Sequence, residues 1–274
     1  MKRLKKIGII GCGIMGQSII ARLASLGKHG RIVAVDKDHR KTALVERRFA
    51  VKVTGDIAHA ASGADVVILA VKPQDMDEVL RGLIGVVSER TLLVSIAAGV
   101  TTRHIESVFG RVKVPVIRVM PNMPAVIGEA ISAISAGRYA RASQRTVAKE
   151  VLSSIGETVE VAERRMDAVT AVSGSGPAYF YYLIESMIEA ASALGLEHNV
   201  AERLVVKTAL GSVHLLSILR EEASRLRRRV ASKGGTTEAA LKVFESRRFK
   251  ETIRKAMERA ARRSRELSQA ISDL

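Results

Sequence analysis

The stretch Gly11-Cys12-Gly13-Ile14-Met15-Gly16 follows an apolar run, KKIGII, and leads straight into a helical pattern, QSIIARLASLG. Three glycines in this register, between a strand and a helix, suit the diphosphate of a dinucleotide. Gly11 permits a tight turn, Gly13 lets the backbone approach phosphate, and Gly16 lets the helix pack close to the sheet. Cys12, Ile14 and Met15 add backbone amides at a helix N-terminus, whose partial positive charge favours an anion. The next apolar run, RIVAVD, ends at Asp36. It lies about 20 residues beyond Gly16, where a carboxylate accepts from both ribose hydroxyls of NAD. That charge repels a 2′-phosphate, yet Lys37, His39 and Arg40 follow at once and offer cations for one. Asp36 tilts the reading toward NADH, with NADPH as the alternative.

A second cluster, SKGGTTEAAL at Ser232–Leu241, interrupts arginine-rich helical sequence. Glycine weakens a helix by about 1 kcal/mol per residue, so the pair marks a stop. The hydroxyls after it mark a fresh helix with a Thr cap. Amides of Gly234 and Gly235, with the new N-terminus, would attract a carboxylate, and Thr236 and Thr237 bring hydroxyls. A plain stop and cap would use the same residues.

In an open parallel sheet, ligands lie outside the carboxyl ends of the strands. Three further strand ends therefore matter: AVKP at Ala70–Pro73, SIAAGV at Ser95–Val100 and VMPNMPA at Val119–Ala125. Lys72 and Asn122 are polar residues on that edge, and the small Ala97 and Ala98 leave room for a nicotinamide. Asp56, Ala70, Val71 and Pro73 complete the cofactor-facing set.

The elements that position these residues follow from hydropathy. RIVAVD, ADVVILAV, TLLVSIAAG and VPVIRVMPN are continuously apolar, as strands covered on both faces are. Interleaved helices imply right-handed crossovers and a mostly parallel, doubly wound sheet. VEVA reads as a last edge strand. Beyond it the chain turns to Ala-, Leu-, Glu- and Arg-rich helical sequence, one helix starting at Asn199 with Glu202 reaching back. The expected organisation is an α/β dinucleotide-binding domain of the Rossmann type over residues 1–163, then an all-helical domain over 164–274.

The chain has 274 residues, 47% of them apolar, which is ample for cores in both domains. Its one cysteine, Cys12, allows no internal disulfide, so a reducing cytoplasm is expected. The N-terminus shows no signal-peptide pattern. The apolar stretch Ala178–Leu196 carries Glu185 and Glu189 and reads as a buried helix rather than a membrane span. Being apolar almost all round, it calls for a second copy to cover it, hence a homodimer or larger assembly. The net charge of +16 raises nucleic acid as a partner. Glutamates at helical spacing among the arginines, and the lack of Trp, argue against it.

IGIIGCGIMG with AVKP and SIAAGV, then SGSGPAY at Ser173–Tyr179, then SKGGTT resemble the Δ1-pyrroline-5-carboxylate reductase family, in order along nearly the whole chain. The resemblance implies a Rossmann domain, a helical dimerisation domain, and reduction of 1-pyrroline-5-carboxylate to L-proline with NADH or NADPH. It also implies that the loop of Gly234, Gly235, Thr236 and Thr237 cradles the substrate. Val230 and Ser175 then become its neighbours, and Thr237 is the candidate to hydrogen-bond the ring nitrogen. Ser175 and Pro177 also read simply as the start of a helix. Two features depart from the family. Lys233 stands where a proline is usual, and LRRRV, Leu226–Val230, stands where an acid or amide is usual. A β-hydroxyacid dehydrogenase would need an asparagine one turn after its lysine, but Gly211 follows Lys207. A prephenate dehydrogenase would need a histidine where Lys72-Pro73 stands. The alternatives are another two-domain NAD(P)-dependent dehydrogenase or imine reductase of the β-hydroxyacid dehydrogenase type, and a basic nucleic-acid-binding module on the same scaffold.

Overall fold

The computed structural model describes residues 4–272. The chain divides into two compact units, one running to Ser175 and including the segment from Arg259, the other comprising Gly176–Glu258.

The first unit is built on β1 (Ile7–Ile10), α1 (Ile14–Leu23), β2 (Ile32–Val35), α2 (His39–Phe49), β3 (Lys52–Thr54), α3 (Ile57–Ala61), β4 (Val66–Leu69), α4 (Met76–Leu83), β5 (Leu92–Ser95), α5 (Thr102–Val108) and β6 (Val116–Met120). It continues with β7 (Ala130–Ala136), α6 (Ala142–Leu152), β8 (Gly156–Glu160) and α7 (Met166–Val169). The sheet order is β3-β2-β1-β4-β5-β6-β7-β8. The first six strands are mutually parallel, and β7 turns antiparallel on β6 while pairing parallel with β8. Strand order reverses between β1 and β4, which opens the ligand crevice of a doubly wound sheet.

β1, β2, β4 and β5 are buried along their whole length, as their unbroken apolar sequences require. Successive side chains feed two cores: Ile9 and Ile68 pack on one face of the sheet, Ile10 and Leu69 on the other. Two strands go beyond the sequence reading. β3 is only three residues long, and β7, AISAISA, is too rich in small residues to stand out as an apolar run.

The second unit holds α8 (Gly176–Ala193), α9 (His198–Leu219), α10 (Ala223–Val230), α11 (Thr236–Ser246) and the first part of α12 (Phe249–Ser272). Two expectations are corrected here. α9 starts at His198 after Glu197, so Asn199 lies inside its first turn and does not cap it. α11 has Gly235 at its cap position with no side-chain cap, so neither Thr236 nor Thr237 serves as one. α8 buries only Gly176 within the single chain, which leaves the apolar stretch read as a buried helix without cover from its own chain. No helix among the described residues is long and apolar enough to cross a membrane. The last turns of α12 belong to the first unit, where Ser264 Oγ donates to Asp167 at 2.8 Å.

Candidate active site

The glycine turn has the geometry its sequence demands. Gly11 sits at φ +102°, and a Cβ there would stand 2.5 Å from the Ala70 carbonyl oxygen. A Cβ on Gly16 would collide with the Gly11 carbonyl. Both positions therefore exclude a side chain. Around Gly13 there is open space, with nothing within 4 Å of where a Cβ would be. Gly13 also occupies the cap position of α1, with no side chain satisfying the first amides and no acidic residue in the first turn. The positive end of this helix is thus free to meet an anion. Gln17 Nε2 donates to the Cys12 carbonyl at 2.8 Å and braces the turn from the helix side.

Asp36 is placed against this turn rather than beside it. One carboxylate oxygen accepts from the Cys12 amide at 2.7 Å and the other from the Asp38 amide at 2.8 Å. Each oxygen retains a further lone pair for a hydroxyl. The cations that follow Asp36 are already engaged. Lys37 donates to Asp75 at 2.7 Å, Arg40 to Asp38 at 3.1 Å, and Lys41 lies 3.9 Å from Asp36. The hydrogen bond from Lys37 to Asp75 holds its ammonium above the usual lysine range. Asp56 stands after the edge strand β3, and its carboxylate caps α3 by accepting from Ala58 N.

The other strand ends form one rim. Ala70 N donates to the Ile10 carbonyl and Ile96 N to that of Leu69, which sets the β4 and β5 ends beside the glycine turn. Val71, the exposed Lys72 and Pro73 leave β4, and Pro73 opens a short 3-10 turn. Ala97 is buried and Ala98 exposed, so the β5 end offers a small, flat wall. Asn122 Oδ1 accepts from Ile131 N at 3.1 Å and fixes the turn between β6 and β7. Sequence reading missed Glu163 behind this rim. Its carboxylate accepts from Thr102 N at 2.8 Å and Thr102 Oγ1 at 2.6 Å, and pairs with the buried Arg118 at 3.3 Å.

Ser175 does not cap a helix. Residues Thr170–Gly174 form a π-helical turn, and Ser175 continues in helical conformation with its amide on the Thr170 carbonyl. Such turns recur at functional sites because they redirect one side chain within a helix. Gly174 comes close to Met120, whose Cε would be 2.5 Å from a Cβ at that position.

In the second unit, Gly234 takes φ +74° and turns the chain out of α10, which ends at the exposed Val230. Glu238, in the first turn of α11, reaches back to accept from the Gly234 amide. Thr236 is exposed and Thr237 half-buried at the start of the helix. Two of the unusual arginines have partners: Arg229 pairs with Glu221 at 3.1 Å, and Arg227 lies 3.7 Å from Glu245.

Residues 163–267 match a family described as pyrroline-5-carboxylate reductase dimerisation, and residues 6–99 match one described as NADP oxidoreductase, coenzyme F420-dependent. A pyrroline-5-carboxylate reductase from Pseudomonas aeruginosa is 39% identical over 97% of this chain and 98% of its own. The structure of a pyrroline-5-carboxylate reductase from Coxiella burnetii aligns at a TM-score of 0.90 and 33% identity, covering 97% of this chain and 99% of the other. The Plasmodium falciparum pyrroline carboxylate reductase with NADP bound aligns at 0.87 and 27% identity, covering 98% and 99%.

Proposed function

The chain belongs to the pyrroline-5-carboxylate reductase family, and from that membership we propose that it reduces 1-pyrroline-5-carboxylate to L-proline with NADH as the preferred reductant. It is an NAD(P)-dependent oxidoreductase. The observation that carries the coenzyme reading is the open start of α1 above Gly13, which no side chain caps and no acidic residue shields. Gly11, Cys12, Gly13, Ile14, Met15 and Gly16 line it. Ala70, Val71, Lys72, Pro73, Ala97, Ala98 and Asn122 face the rest of the dinucleotide, with Asp56 at the outer edge.

The preference for NADH is supported by charge. Asp36 presents a carboxylate to the ribose, and Lys37 and Arg40, which a 2′-phosphate would need, are tied to Asp75 and Asp38. NADP is bound in the Plasmodium relative, so the choice rests on residues particular to each chain.

When bound, a reduced nicotinamide would supply hydride for the imine carbon, and the ring nitrogen would keep the iminium proton as the secondary amine. The cyclic imine is most readily reduced as its iminium, so the protein needs no strong acid of its own. Its contribution is positioning. Gly235, Thr236 and Thr237 at the start of α11 hold the substrate carboxylate with helix amides. Gly234 shapes the turn, Thr237 Oγ1 hydrogen-bonds the ring nitrogen, and Ser175 and Val230 border the substrate. A homodimer formed through the helical unit, in a reducing cytoplasm, completes the proposal.

The test is spectrophotometric, following oxidation of NADH and of NADPH with 1-pyrroline-5-carboxylate as acceptor. NADH should give the higher kcat/KM; a tenfold preference for NADPH overturns the coenzyme choice. Thr237→Ala should lower kcat/KM at least about tenfold, the loss of one hydrogen bond to a charged group, with NADH affinity unchanged. Unaltered turnover removes Thr237 from the site.

A further inference from the structure

Asp75 ends the 3-10 turn Pro73–Asp75 and stands at the entrance of α4. A carboxylate there would ordinarily accept from a first-turn amide, an interaction of about 1 kcal/mol. Asp75 makes no such cap. Its Oδ1 accepts instead from Lys37 Nζ at 2.7 Å, 38 residues away in sequence. Lys37 follows β2 and Asp75 follows β4, the two strands that flank β1, so the pair links both sides of the crevice whose floor is the glycine turn. The lysine side chain is 78% exposed and the aspartate 24%, so the fixed member is the acid.

The neighbouring cations are engaged differently. Arg40 is bound two residues away by Asp38, and Lys41 lies at the margin of contact with Asp36. Only Lys37 is drawn off by an acid from another strand end. The other acids acting on its charge are Glu78 and Asp36, and neither hydrogen-bonds it. Resting on the coenzyme site proposed above, we infer that Asp75 is a specificity-determining residue. By holding Lys37 it withholds from NADPH the cation that its 2′-phosphate requires, and its own charge adds repulsion. NADH, with a free ribose hydroxyl at that position, loses nothing.

The experiment compares wild type, Asp75→Asn, Lys37→Ala and the double variant. For each, kcat/KM is measured with both coenzymes, and their dissociation constants are measured by fluorescence without substrate. Asp75→Asn should raise kcat/KM for NADPH about fivefold, the worth of an exposed ion pair, and leave NADH within about twofold. Adding Lys37→Ala should remove most of that gain, leaving only the part due to the lost repulsion, while Lys37→Ala alone should change little because the wild-type lysine is already occupied. If Asp75→Asn leaves NADPH unimproved while NADH still binds, Asp75 has no such role and the coenzyme site stands. If Lys37→Ala alone lowers kcat/KM for NADPH well below the wild-type value, the lysine already serves the 2′-phosphate and the inference fails. If neither coenzyme binds the wild-type protein, the coenzyme site itself is wrong.

Discussion

The amide of Cys12 donates to Asp36, and its side chain turns the other way, into the core beside Ile9 and Ile19. Burial, with the Asp36 charge as a lesser cause, pushes the thiol up to about 12. The reactive form of cysteine is the thiolate, so this thiol is inert at neutral pH despite lying in the phosphate-binding turn. The sign of the linkage follows. A folded value above the unfolded one of about 8.5 means that the fold favours the neutral thiol. That contribution is complete below the unfolded value and is lost as pH rises through about 12. A thiol reagent at pH 8 should therefore label no cysteine in the native protein and one after unfolding in urea. Cys12→Ala should flatten the alkaline decline of the unfolding free energy. Rapid labelling of the folded chain would contradict the burial.

Between elements, the decisive polar contact is Glu163 with Thr102 and Arg118. It ties the start of α5 and the middle of β6 to the segment after β8. Arg118 is buried and Glu163 is 28% exposed, so removing the acid strands a cation with only partial access to water. Glu163→Ala should cost about 2 kcal/mol, below the range for a fully buried pair because solvent reaches the acid. Glu163→Gln should cost less, since its carbonyl still accepts from Thr102. Urea midpoints would measure both, and equal loss in the two variants would mean that the charge is irrelevant. Contacts of this kind explain what sequence could and could not reveal. β1, β2, β4, β5 and β6 were readable because continuous apolar runs have no other use in a sheet covered on both faces. The glycine turn was readable because its requirements are local, within six residues. β3 and β7 were not: one is too short and the other too rich in alanine and serine. Glu163 with Arg118, and Lys37 with Asp75, join charges 45 and 38 residues apart that no periodicity connects. Ser175, which also reads as the start of a helix, instead follows the π-helical turn Thr170–Gly174, which no periodicity announces.

At the scale of the molecule, charge and hydropathy divide the work. On α12 several cations pair with glutamates of the same helix: Arg254 with Glu258, Lys255 with Glu251 and Arg263 with Glu266. Ion pairs at this spacing are those of a solvated helix face, although the seven cations of α12 outnumber its three glutamates. α8 and α9 present the opposite character. Phe180, Tyr182, Leu210 and Ile218 are each at least 60% exposed in the single chain. Val200, Leu204, Val206 and Leu210 line an open groove of about 810 Å³ along α9. Apolar side chains exposed in this number mark an interaction surface, and the matched dimerisation family spans these helices. The chain should therefore elute as a dimer or a multiple of one. A glutamate at position 210 would have to be buried without a partner when two copies meet. At about 3 kcal/mol for a buried unpaired charge, Leu210→Glu should weaken association about 100-fold. Light scattering should then show monomer at micromolar concentration with the helical circular dichroism retained. Retention of the wild-type mass would move the seam away from α9, and loss of helicity would mean that Leu210 supports the unit itself.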